Sequence, residues 1–465
     1  MVNNMKSVAF HNLGCKVNGY AMDYMQQMLQ EKGYNIVSFD AKADIYIINT
    51  CTVTNIADRK SRQMLHRAKK LNPEAIVVAV GCYVQAGKED ALKDMSIDLA
   101  IGNNRKKDLI SILEEYLAER KLQTQVTQDN ACTDTGTQKT LNGKTIIDID
   151  HTNEYESMKL TRTAEHTRAF IKVQDGCNQF CSYCIIPYAR GRIRSREIEE
   201  VLEEVKGLAE NGYREVVLTG IHLSSYGMTN GNDFSQSKLI DLIQAVQEID
   251  GIERIRLGSL EPRIITEDFV RKMAECSKIC PHFHLSLQSG CNAVLKRMNR
   301  KYTAEEYYEK VCILRSYFEN PAITTDVIVG FPGETEEEFR ETEAFLRKVG
   351  FYEMHIFKYS RRKGTPAAIM EGQVPEMIKT ARSNALLDLE KEMSHKYREA
   401  FLHNEVEILF EEEKMVGGRR CQIGHTKEYI RGVFETEENL SGQILSGQLT
   451  QFLEPDILLF QPQTH

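Results

Sequence analysis

The sequence predicts an α/β protein made of three successive folding units. Apolar strand-like runs alternate with amphipathic helical stretches over residues 1–120, which is typical of a doubly wound parallel α/β domain. The alternation resumes over residues 166–400 with six βα units, which indicates a partial (β/α)6 TIM-like barrel. Short β-type runs over residues 401–465 predict a small closed or partly closed β-barrel.

The N-terminal domain is predicted from three apolar runs, Ser7–Leu13, Asp44–Asn49 and Ala75–Val80. Between them, Ala21–Lys32 and Arg59–Lys70 have the periodicity of amphipathic helices. Strands that alternate with helices in this way form parallel βαβ units. The carboxyl ends of the three strands should therefore lie along one edge of the sheet.

The stretch 121–165 is predicted to be a polar linker, because it is rich in Thr, Gln, Asn and Asp and poor in aromatic residues. The candidate strands of the barrel that follows are Ala169–Gln174, Glu215–Thr219, Arg254–Gly258, His282–Leu287, Thr324–Gly330 and Glu353–Tyr359. Helical patterns separate them, for example over Glu197–Ala209, Lys238–Ile249, Glu305–Tyr317 and Glu336–Lys348.

The C-terminal unit is predicted after a helical stretch, Glu376–Phe401. Its β-type runs are Val406–Phe410, Tyr429–Phe434, Gln443–Leu453 and Ile457–Phe460, and glycines and turn residues separate them. Short strands at this spacing favour a small barrel.

Composition limits the kind of protein. The 465 residues are 42% hydrophobic and 27% charged, with no apolar run of the roughly 18 residues that a membrane-spanning helix needs. The first residues lack the pattern of a secretory signal, so we expect a cytoplasmic protein without a membrane partner. We also expect a monomer. Twelve cysteines are too dilute for a disulfide scaffold and point to metal binding or catalysis. With a net charge of −8, any RNA contact would depend on local basic patches.

The strongest motif is the C-x3-C-x2-C run of Cys177, Cys181 and Cys184, directly after the first strand of the barrel. Three thiolates on one loop can bind three irons of a [4Fe-4S] cluster and leave the fourth iron open to a small chelating molecule. The alternative is a structural zinc loop, but zinc usually takes four protein ligands and no fourth cysteine or histidine follows nearby.

A second set of cysteines becomes visible once strands are assigned. Cys15, Cys51 and Cys82 each follow one of the three N-terminal apolar runs, so they could converge at the carboxyl edge of that sheet and again leave one iron open. The alternative is three buried structural cysteines. Spacing alone does not decide between them.

The cysteine loop resembles that of the radical S-adenosylmethionine (SAM) enzymes, with Tyr183 just before the last cysteine. The order of three spread cysteines, this loop and a terminal β module is similar to the methylthiotransferase family. The resemblance implies two [4Fe-4S] clusters. Cys177, Cys181 and Cys184 would hold the one that cleaves SAM to a 5'-deoxyadenosyl radical. Cys15, Cys51 and Cys82 would hold one whose open iron carries a sulfur that a second SAM methylates. The other cysteines, Cys132 among them, match no ligand position of the family.

Within the family, LGCKVN, INTCTVTN, DRKSRQ and ARGRIRSR look most like the threonylcarbamoyladenosine tRNA methylthiotransferase branch. That resemblance implies methylthiolation at C2 of N6-threonylcarbamoyladenosine at position 37 of tRNA, with an electron donor and a sulfur source as further partners. The alternatives are methylthiolation of N6-isopentenyladenosine or of a ribosomal-protein side chain. A different class, a non-catalytic iron–sulfur carrier that binds RNA, also stays open.

Basic side chains that could contact RNA occur in two places. Arg59 and Arg62 recur at helical spacing, and Arg190, Arg192 and Arg194 alternate just beyond the cysteine loop. A solvated charged face is the alternative for each. The last 62 residues resemble the RNA-binding TRAM module through VEILFE, GHTKEYI and SGQILSGQL, although this stretch carries few basic residues.

Polar residues at the ends of barrel strands are candidates for cofactor binding. By analogy with radical SAM barrels, Thr219 and Gly220 would lie near the methionine amino group of SAM, and Ser259, Glu261 and Gln288 would contact SAM or the substrate base. For each of these residues, a turn or a hydrogen bond to a neighbouring side chain is the alternative.

Overall fold

The computed structural model describes residues 6–126 (side chains up to 122), 139–141, 143–162, 167–229 and 233–463. Within these ranges the chain forms a parallel α/β domain, a partial barrel and a closed β-barrel, in that order. None of the described helices is both long and apolar enough to cross a membrane.

The N-terminal sheet is entirely parallel, with strand order β2–β1–β3–β4–β5. Its strands are β1 (Ser7–Asn12), β2 (Asn35–Val37), β3 (Ile45–Thr50), β4 (Ile76–Gly81) and β5 (Leu99–Ile101). The helices are α1 (Lys16–Glu31), α2 (Asn55–Leu71), α3 (Cys82–Ala86), α4 (Lys88–Lys93) and α5 (Leu109–Val126). β3 and β4 are buried along their whole length because helices cover both faces. The predicted doubly wound domain is confirmed, and only the three-residue strands β2 and β5 were missed.

The central unit is a partial barrel whose strands follow one another in chain order. They are β6 (Ala169–Asp175), the antiparallel two-residue β7 (Arg194–Ser195), β8 (Glu215–Gly220), β9 (Arg254–Leu257), β10 (His282–His284), β11 (Ala322–Val329) and β12 (Glu353–Lys358). Parallel ladders join β6, β8 and β9 and join β10, β11 and β12, while parallel bridges such as Leu260 to Leu285 connect the two groups. The predicted six-unit partial barrel is confirmed.

Helices surround the outside of this barrel. They are α6 (Ile186–Arg190), α7 (Ile198–Glu210), α8 (Leu239–Gln247), α9 (Glu267–Ala274), α10 (Asn292–Arg297), α11 (Ala304–Tyr317), α12 (Glu336–Val349) and α13 (Glu376–Glu399). Alternate strand residues, such as Ile171 and Ile255, join the helices in one apolar core. Since side chains alternate along a strand, Phe170 and Arg256 point to the inside of the barrel, which we call the lumen.

The stretch predicted as a polar linker differs from that expectation in the residues that the structure describes. α5 continues to Val126, beyond the predicted boundary at 120. Ile146 lies in the core of the N-terminal domain, and Met158 and Leu160 are buried against Tyr20. The Leu160 amide also donates to Glu204 of the central unit (2.9 Å), so 143–162 contacts both α/β units. The apolar side chains of this stretch are too widely spaced to form a periodic pattern, which is why the sequence does not predict this packing.

The C-terminal unit is a closed barrel of order β13–β14–β15–β17–β16. Its strands are β13 (Glu405–Val416), β14 (Arg419–His425), β15 (Arg431–Glu435), β16 (Ile444–Glu454) and β17 (Ile457–Pro462). The predicted small barrel is confirmed, but β14 was missed because it begins with two arginines. The barrel closes the N-terminal end of the lumen, where Arg254 donates to the carbonyl of His425 (2.9 Å) and Tyr429 stacks on His282 (4.9 Å between centroids).

Candidate functional site

The loop that carries Cys177, Cys181 and Cys184 connects β6 to α6 and is held by backbone contacts. Gly176 begins it with φ +73°, and a Cβ there would lie 1.8 Å from the carbonyl oxygen of Arg192, so only glycine fits. The Cys177 amide donates to the Gly191 carbonyl (3.1 Å), and the Cys184 amide donates to the Cys181 carbonyl (2.9 Å). The three thiols therefore share one tight turn at the carboxyl end of a barrel strand, where this kind of fold places its chemistry.

The environment of these thiols suits a metal cluster. Cys177 and Cys181 are each 8% exposed. Burial, with a smaller contribution from the neighbouring Cys181, raises the pKa of the Cys177 thiol to about 12. Burial likewise raises the pKa of Cys184, again with help from the other two thiols. Three thiolates cannot share this pocket without a compensating positive charge, and soft iron centres supply it, so the donor set fits a [4Fe-4S] cluster.

The guanidinium of Arg300 lies against the cysteine set formed by Cys177, Cys181 and Cys184. Arg300 donates from Nη1 to Cys181 Sγ (3.3 Å) and from Nη2 to Glu261 Oε2 (3.2 Å). Hydrogen bonds to cluster sulfurs help to set the reduction potential of a cluster. Burial acts to raise the pKa of Glu261, but Arg300 and then His222 lower it to about 2, so the carboxylate is charged at neutral pH. The spacing of the motif does not reveal Arg300, which lies 119 residues from Cys181.

The second cysteine set meets at the carboxyl edge of the N-terminal sheet. Cys15 caps α1 after β1, Cys51 follows β3, and Cys82 begins α3 directly after β4. A Cβ on Gly14 would lie 3.3 Å from the Cβ of Cys51, so the chain at Cys15 passes close to Cys51. Burial, with smaller contributions from the nearby Cys82 and Cys15, raises the pKa of the Cys51 thiol to about 11. These three thiols form a second donor set that fits an iron–sulfur cluster.

Arg190 connects the two cysteine sets. It is 2% exposed, donates to both carboxylate oxygens of Asp175 (3.2 Å each), and reaches Asn18 Oδ1 with its other terminal nitrogen (2.5 Å). Burial acts to lower its pKa, but Cys82, Asp175 and Cys15 raise it well above the ordinary value. The loop of the first set is therefore joined through Arg190 to the second set.

Asn103, at the carboxyl edge after β5, is a second residue that links the loops of the two cysteine sets. Its amide nitrogen donates to the carbonyl of Ala189 (2.7 Å) and approaches Cys82 Sγ (3.4 Å). Asn18 and Asn103 are functional candidates that sequence reasoning missed, because they become neighbours of the cysteines only when the two α/β units pack together.

The predicted RNA-binding arginines divide into two groups. Arg190 and Arg194 are buried, and Arg194 donates to the carbonyls of Arg190 (2.9 Å) and Arg192 (3.1 Å), so the structure corrects the expectation that these two contact RNA. Their donors are used inside the protein. Arg192, between them, is exposed and lies over the Phe180 ring (4.7 Å), and Arg59 and Arg62 on α2 are also exposed. Tyr188, a possible base-stacking residue, is 41% exposed.

The predicted cofactor-binding residues lie around the top of the barrel. Tyr183 packs edge-on against Phe331 (6.5 Å between centroids). Thr219 and Gly220 end β8, and a Cβ on Gly220 would lie 2.8 Å from Gln174 Oε1. The backbone of Gln288 is in the left-handed region, with φ +75°. The side chain of Ser259 is exposed. Direct contacts of these residues with SAM stay a prediction.

A charged cluster that the sequence did not reveal lies inside the barrel. Asp326 on β11 accepts from His355 Nδ1 on β12 (3.2 Å), and its other oxygen lies 3.4 Å from His284 Nε2 on β10. Burial acts to raise the pKa of Asp326, but His284 and His355 outweigh it and hold the pKa well below the ordinary value. Cys132, left unassigned above, lies outside the described residues.

Two family models match this chain, one in each of its two α/β units. A model described as "Radical SAM superfamily" matches residues 171–346, and one described as "Uncharacterized protein family UPF0004" matches residues 7–102. The first range contains Cys177, Cys181 and Cys184, and the second contains Cys15, Cys51 and Cys82.

Several curated proteins are similar over nearly the whole chain. The threonylcarbamoyladenosine tRNA methylthiotransferase MtaB of Bacillus subtilis is 38% identical, over 95% of this chain and 93% of its own. The protein of the same name from Aquifex aeolicus is 41% identical, over 87% of this chain and 93% of its own. A tRNA-2-methylthio-N(6)-dimethylallyladenosine synthase from Alkaliphilus oremlandii is 34% identical, over 94% of this chain and 89% of its own.

Among solved structures, the radical S-adenosylmethionine methyltransferase TsrM of Kitasatospora setae has a similar fold. Its TM-score is 0.55 at 15% identity, with 78% of this chain and 74% of that chain covered. At this identity the likeness concerns the fold alone.

Proposed function

The chain belongs to the threonylcarbamoyladenosine tRNA methylthiotransferases, and from that premise we propose that it methylthiolates C2 of N6-threonylcarbamoyladenosine at position 37 of tRNA. The observation that carries the proposal is the meeting of two cysteine sets around Arg190. A carrier of electrons needs no second set of thiols beside a SAM-type loop, whereas joining sulfur to carbon needs a sulfur site next to the radical source.

The protein is a radical SAM transferase that uses SAM and [4Fe-4S] clusters. When bound, these groups supply the 5'-deoxyadenosyl radical, the sulfur and the methyl group. We assign Cys177, Cys181 and Cys184 to the cluster that cleaves SAM, and Cys15, Cys51 and Cys82 to the one that delivers sulfur. C2 of adenine has no acidic proton, so a general base has little effect on it, and radical chemistry is the physically reasonable route.

The protein's own residues hold these sites in place. Arg300 orients the Cys181 sulfur and neutralises part of its charge, while the uncharged amide of Asn103 donates a hydrogen bond that orients the Cys82 sulfur. Arg190 fixes the separation of the two sets, because a buried guanidinium paired with Asp175 and hydrogen-bonded to Asn18 has little freedom to move. The two sites are therefore preorganised relative to each other before substrate binds.

tRNA is the substrate class, and we propose that exposed cations near the cysteine sets contact its phosphates. Arg192 follows the SAM-type loop, and Arg59 and Arg62 lie on α2, which begins just after Cys51. We further propose that the C-terminal barrel adds a TRAM-like RNA contact. A cytoplasmic location, a monomeric state, and an electron donor and sulfur source of unknown identity complete the proposal.

The test is mass spectrometry of tRNA nucleosides from a host that lacks this activity, with and without the expressed protein. We expect a new peak of 2-methylthio-N6-threonylcarbamoyladenosine. If only the isopentenyl nucleoside gained the group, the substrate assignment would be wrong while the reaction class stood. If neither nucleoside changed in cells whose protein carries both clusters, methylthiolation of tRNA would be excluded, which leaves first a protein substrate and then the non-catalytic iron–sulfur carrier.

A further inference from the structure

The lumen of the barrel contains more positive than negative charge. Its carboxylates already have partners: Glu215 lies 2.8 Å from Arg256 Nε, Glu411 lies 3.1 Å from Arg168 Nη2, and Asp326 lies between His284 and His355. Arg256 and Arg254 also donate to backbone carbonyls of the C-terminal barrel. These three carboxylates are therefore each paired with another group, and among the described residues none of them forms an ion pair with a cation other than an arginine or a histidine at this end of the lumen.

Lys16 is such a cation. It is the first residue of α1, a helix that contacts β6 and β8, and its ammonium lies 5.8 Å from the centroid of the Phe170 ring inside the barrel. The pKa of His355 is raised chiefly by its hydrogen bond to Asp326, and the charge of Lys16 acts against that rise, so the ammonium lies near this histidine. Lys16 is exposed, and among the described residues it forms no ion pair with a carboxylate.

The position of Lys16 along the chain relates this cation to the sulfur site. Lys16 directly follows Cys15, which we assign to the sulfur-delivering cluster. An anion held by Lys16 would therefore be bound by the residue next in the chain to a proposed ligand of the sulfur-delivering cluster. The anion must belong to a molecule that enters the lumen, because the neighbouring protein carboxylates are already paired.

The proposed substrate carries an anion in the required place. In a threonylcarbamoyl group the amino acid is joined through its nitrogen, so its carboxylate stays free and ionised. N6 and C2 both lie on the Watson–Crick edge of adenine, on either side of N1. A cation that binds the substituent on N6 therefore has to lie close to the group that reacts with C2.

We propose that Lys16 binds the carboxylate of the threonylcarbamoyl group and so selects this nucleoside over one with an uncharged N6 substituent. The inference rests on the proposed function, which supplies the substrate. A dimethylallyl substituent would leave this ammonium buried against the base without an anion, and that arrangement is costly. Lys16 is thus a specificity-determining residue, distinct from the cysteines that carry out the reaction.

The experiment compares two anticodon stem-loop RNAs that differ only at one group. One carries N6-threonylcarbamoyladenosine, and the other carries its methyl ester, which lacks the charge and differs otherwise by one added methyl group. Binding to the cluster-loaded protein is measured by fluorescence anisotropy, and kcat/KM is measured in parallel. For the wild type we expect the acid to be favoured over the ester by about 10- to 100-fold, the usual range for one charge-assisted hydrogen bond.

Variants at Lys16 test whether this residue is the source of the preference. Lys16→Gln should reduce the acid-to-ester ratio close to unity, and Lys16→Arg should restore most of it. Lys32→Gln is the matched control, because it removes one lysine charge from the far end of the same helix, about 24 Å away. The iron content of every variant is measured, since Lys16 adjoins Cys15, and binding provides a readout that needs no turnover.

The contrary outcomes are distinct from one another. If Lys16→Gln keeps the wild-type ratio, or if the wild type does not distinguish acid from ester, the assignment of Lys16 is wrong while the proposed function stands. If Lys16→Gln weakens both RNAs equally, Lys16 binds a backbone phosphate and the inference is again wrong. If the wild type, loaded with both clusters, binds neither RNA and modifies neither, the proposed function itself fails.

Discussion

Arg190 donates to Asn18 across the interface of the two α/β units, at 2.5 Å between Nη2 and Oδ1. Arg190 lies six residues after Cys184, and Asn18 lies three residues after Cys15. Asn18 in turn donates to the carbonyls of Leu13 (2.9 Å) and Thr50 (3.2 Å), next to Cys15 and Cys51. A single buried contact thus connects the loops of both cysteine sets.

Replacing Arg190 should destabilise the protein. Arg190→Gln removes one of two buried cations that pair with Asp175, and since Lys172 remains, the loss should cost about 1.5–3 kcal/mol. Chemical denaturation under anaerobic conditions measures the change in the free energy of unfolding. Arg192→Gln is the control, because that side chain is exposed and should change the free energy by about 0.5 kcal/mol or less. Equal stability of both variants would mean that the contact between Arg190 and Asp175 contributes nothing measurable.

Substitutions in the two cysteine sets should abolish different steps of the reaction. Cys181→Ala should abolish the formation of 5'-deoxyadenosine from SAM and with it methylthiolation. Cys51→Ala should keep SAM cleavage and lose methylthiolation, because it removes only the proposed sulfur site. Each variant should fall from about eight to about four irons per chain if each set holds one cluster. Full methylthiolation by Cys51→Ala would show that the sulfur site lies elsewhere.

Arg192 and Arg194 should differ in their effect on RNA binding. Arg192→Ala removes an exposed charge, so tRNA binding should weaken and the slope of log affinity against log salt should fall by about one. Arg194→Ala removes a buried side chain that donates to backbone carbonyls, so thermal stability should fall instead. Filter binding over a salt series, together with thermal unfolding, distinguishes them. An unchanged salt slope in Arg192→Ala would exclude Arg192 from the RNA contact.

Acid should weaken the attachment of the C-terminal barrel through Glu215. Burial acts to raise the pKa of Glu215, but Arg256, Arg168 and Arg254 outweigh it, so the pKa is lower in the folded protein than the ordinary 4.5. The stability that this carboxylate provides is complete above pH 4.5 and is lost as the pH falls through the folded-state pKa.

The variant Glu215→Gln tests this. At pH 7 it should be less stable than the wild type by about 3–5 kcal/mol, because Arg256 loses its buried partner. The difference should shrink progressively as the pH is lowered below 4.5, which urea denaturation at a series of pH values can follow. A difference independent of pH would show that Glu215 acts through packing rather than through its charge.

The sequence alone predicted the fold class and indicated the two cysteine sets. Strand and helix periodicity reflects burial of local faces, so long elements such as α2 and β4 were predicted to within a few residues. Cys15, Cys51 and Cys82 could be grouped because the carboxyl ends of parallel strands share an edge. Elements of three residues, such as β2 and β5, are too short to carry a periodic pattern.

Only the tertiary structure decided which polar side chains surround the cysteines. Arg190 and Arg192 look alike in the sequence, yet one is buried between Asp175 and Asn18 and the other is exposed. Lys16 gains its significance from the barrel residues around it, which come from strands more than 150 positions away. Long-range packing sets these environments, and no local pattern of residues encodes it.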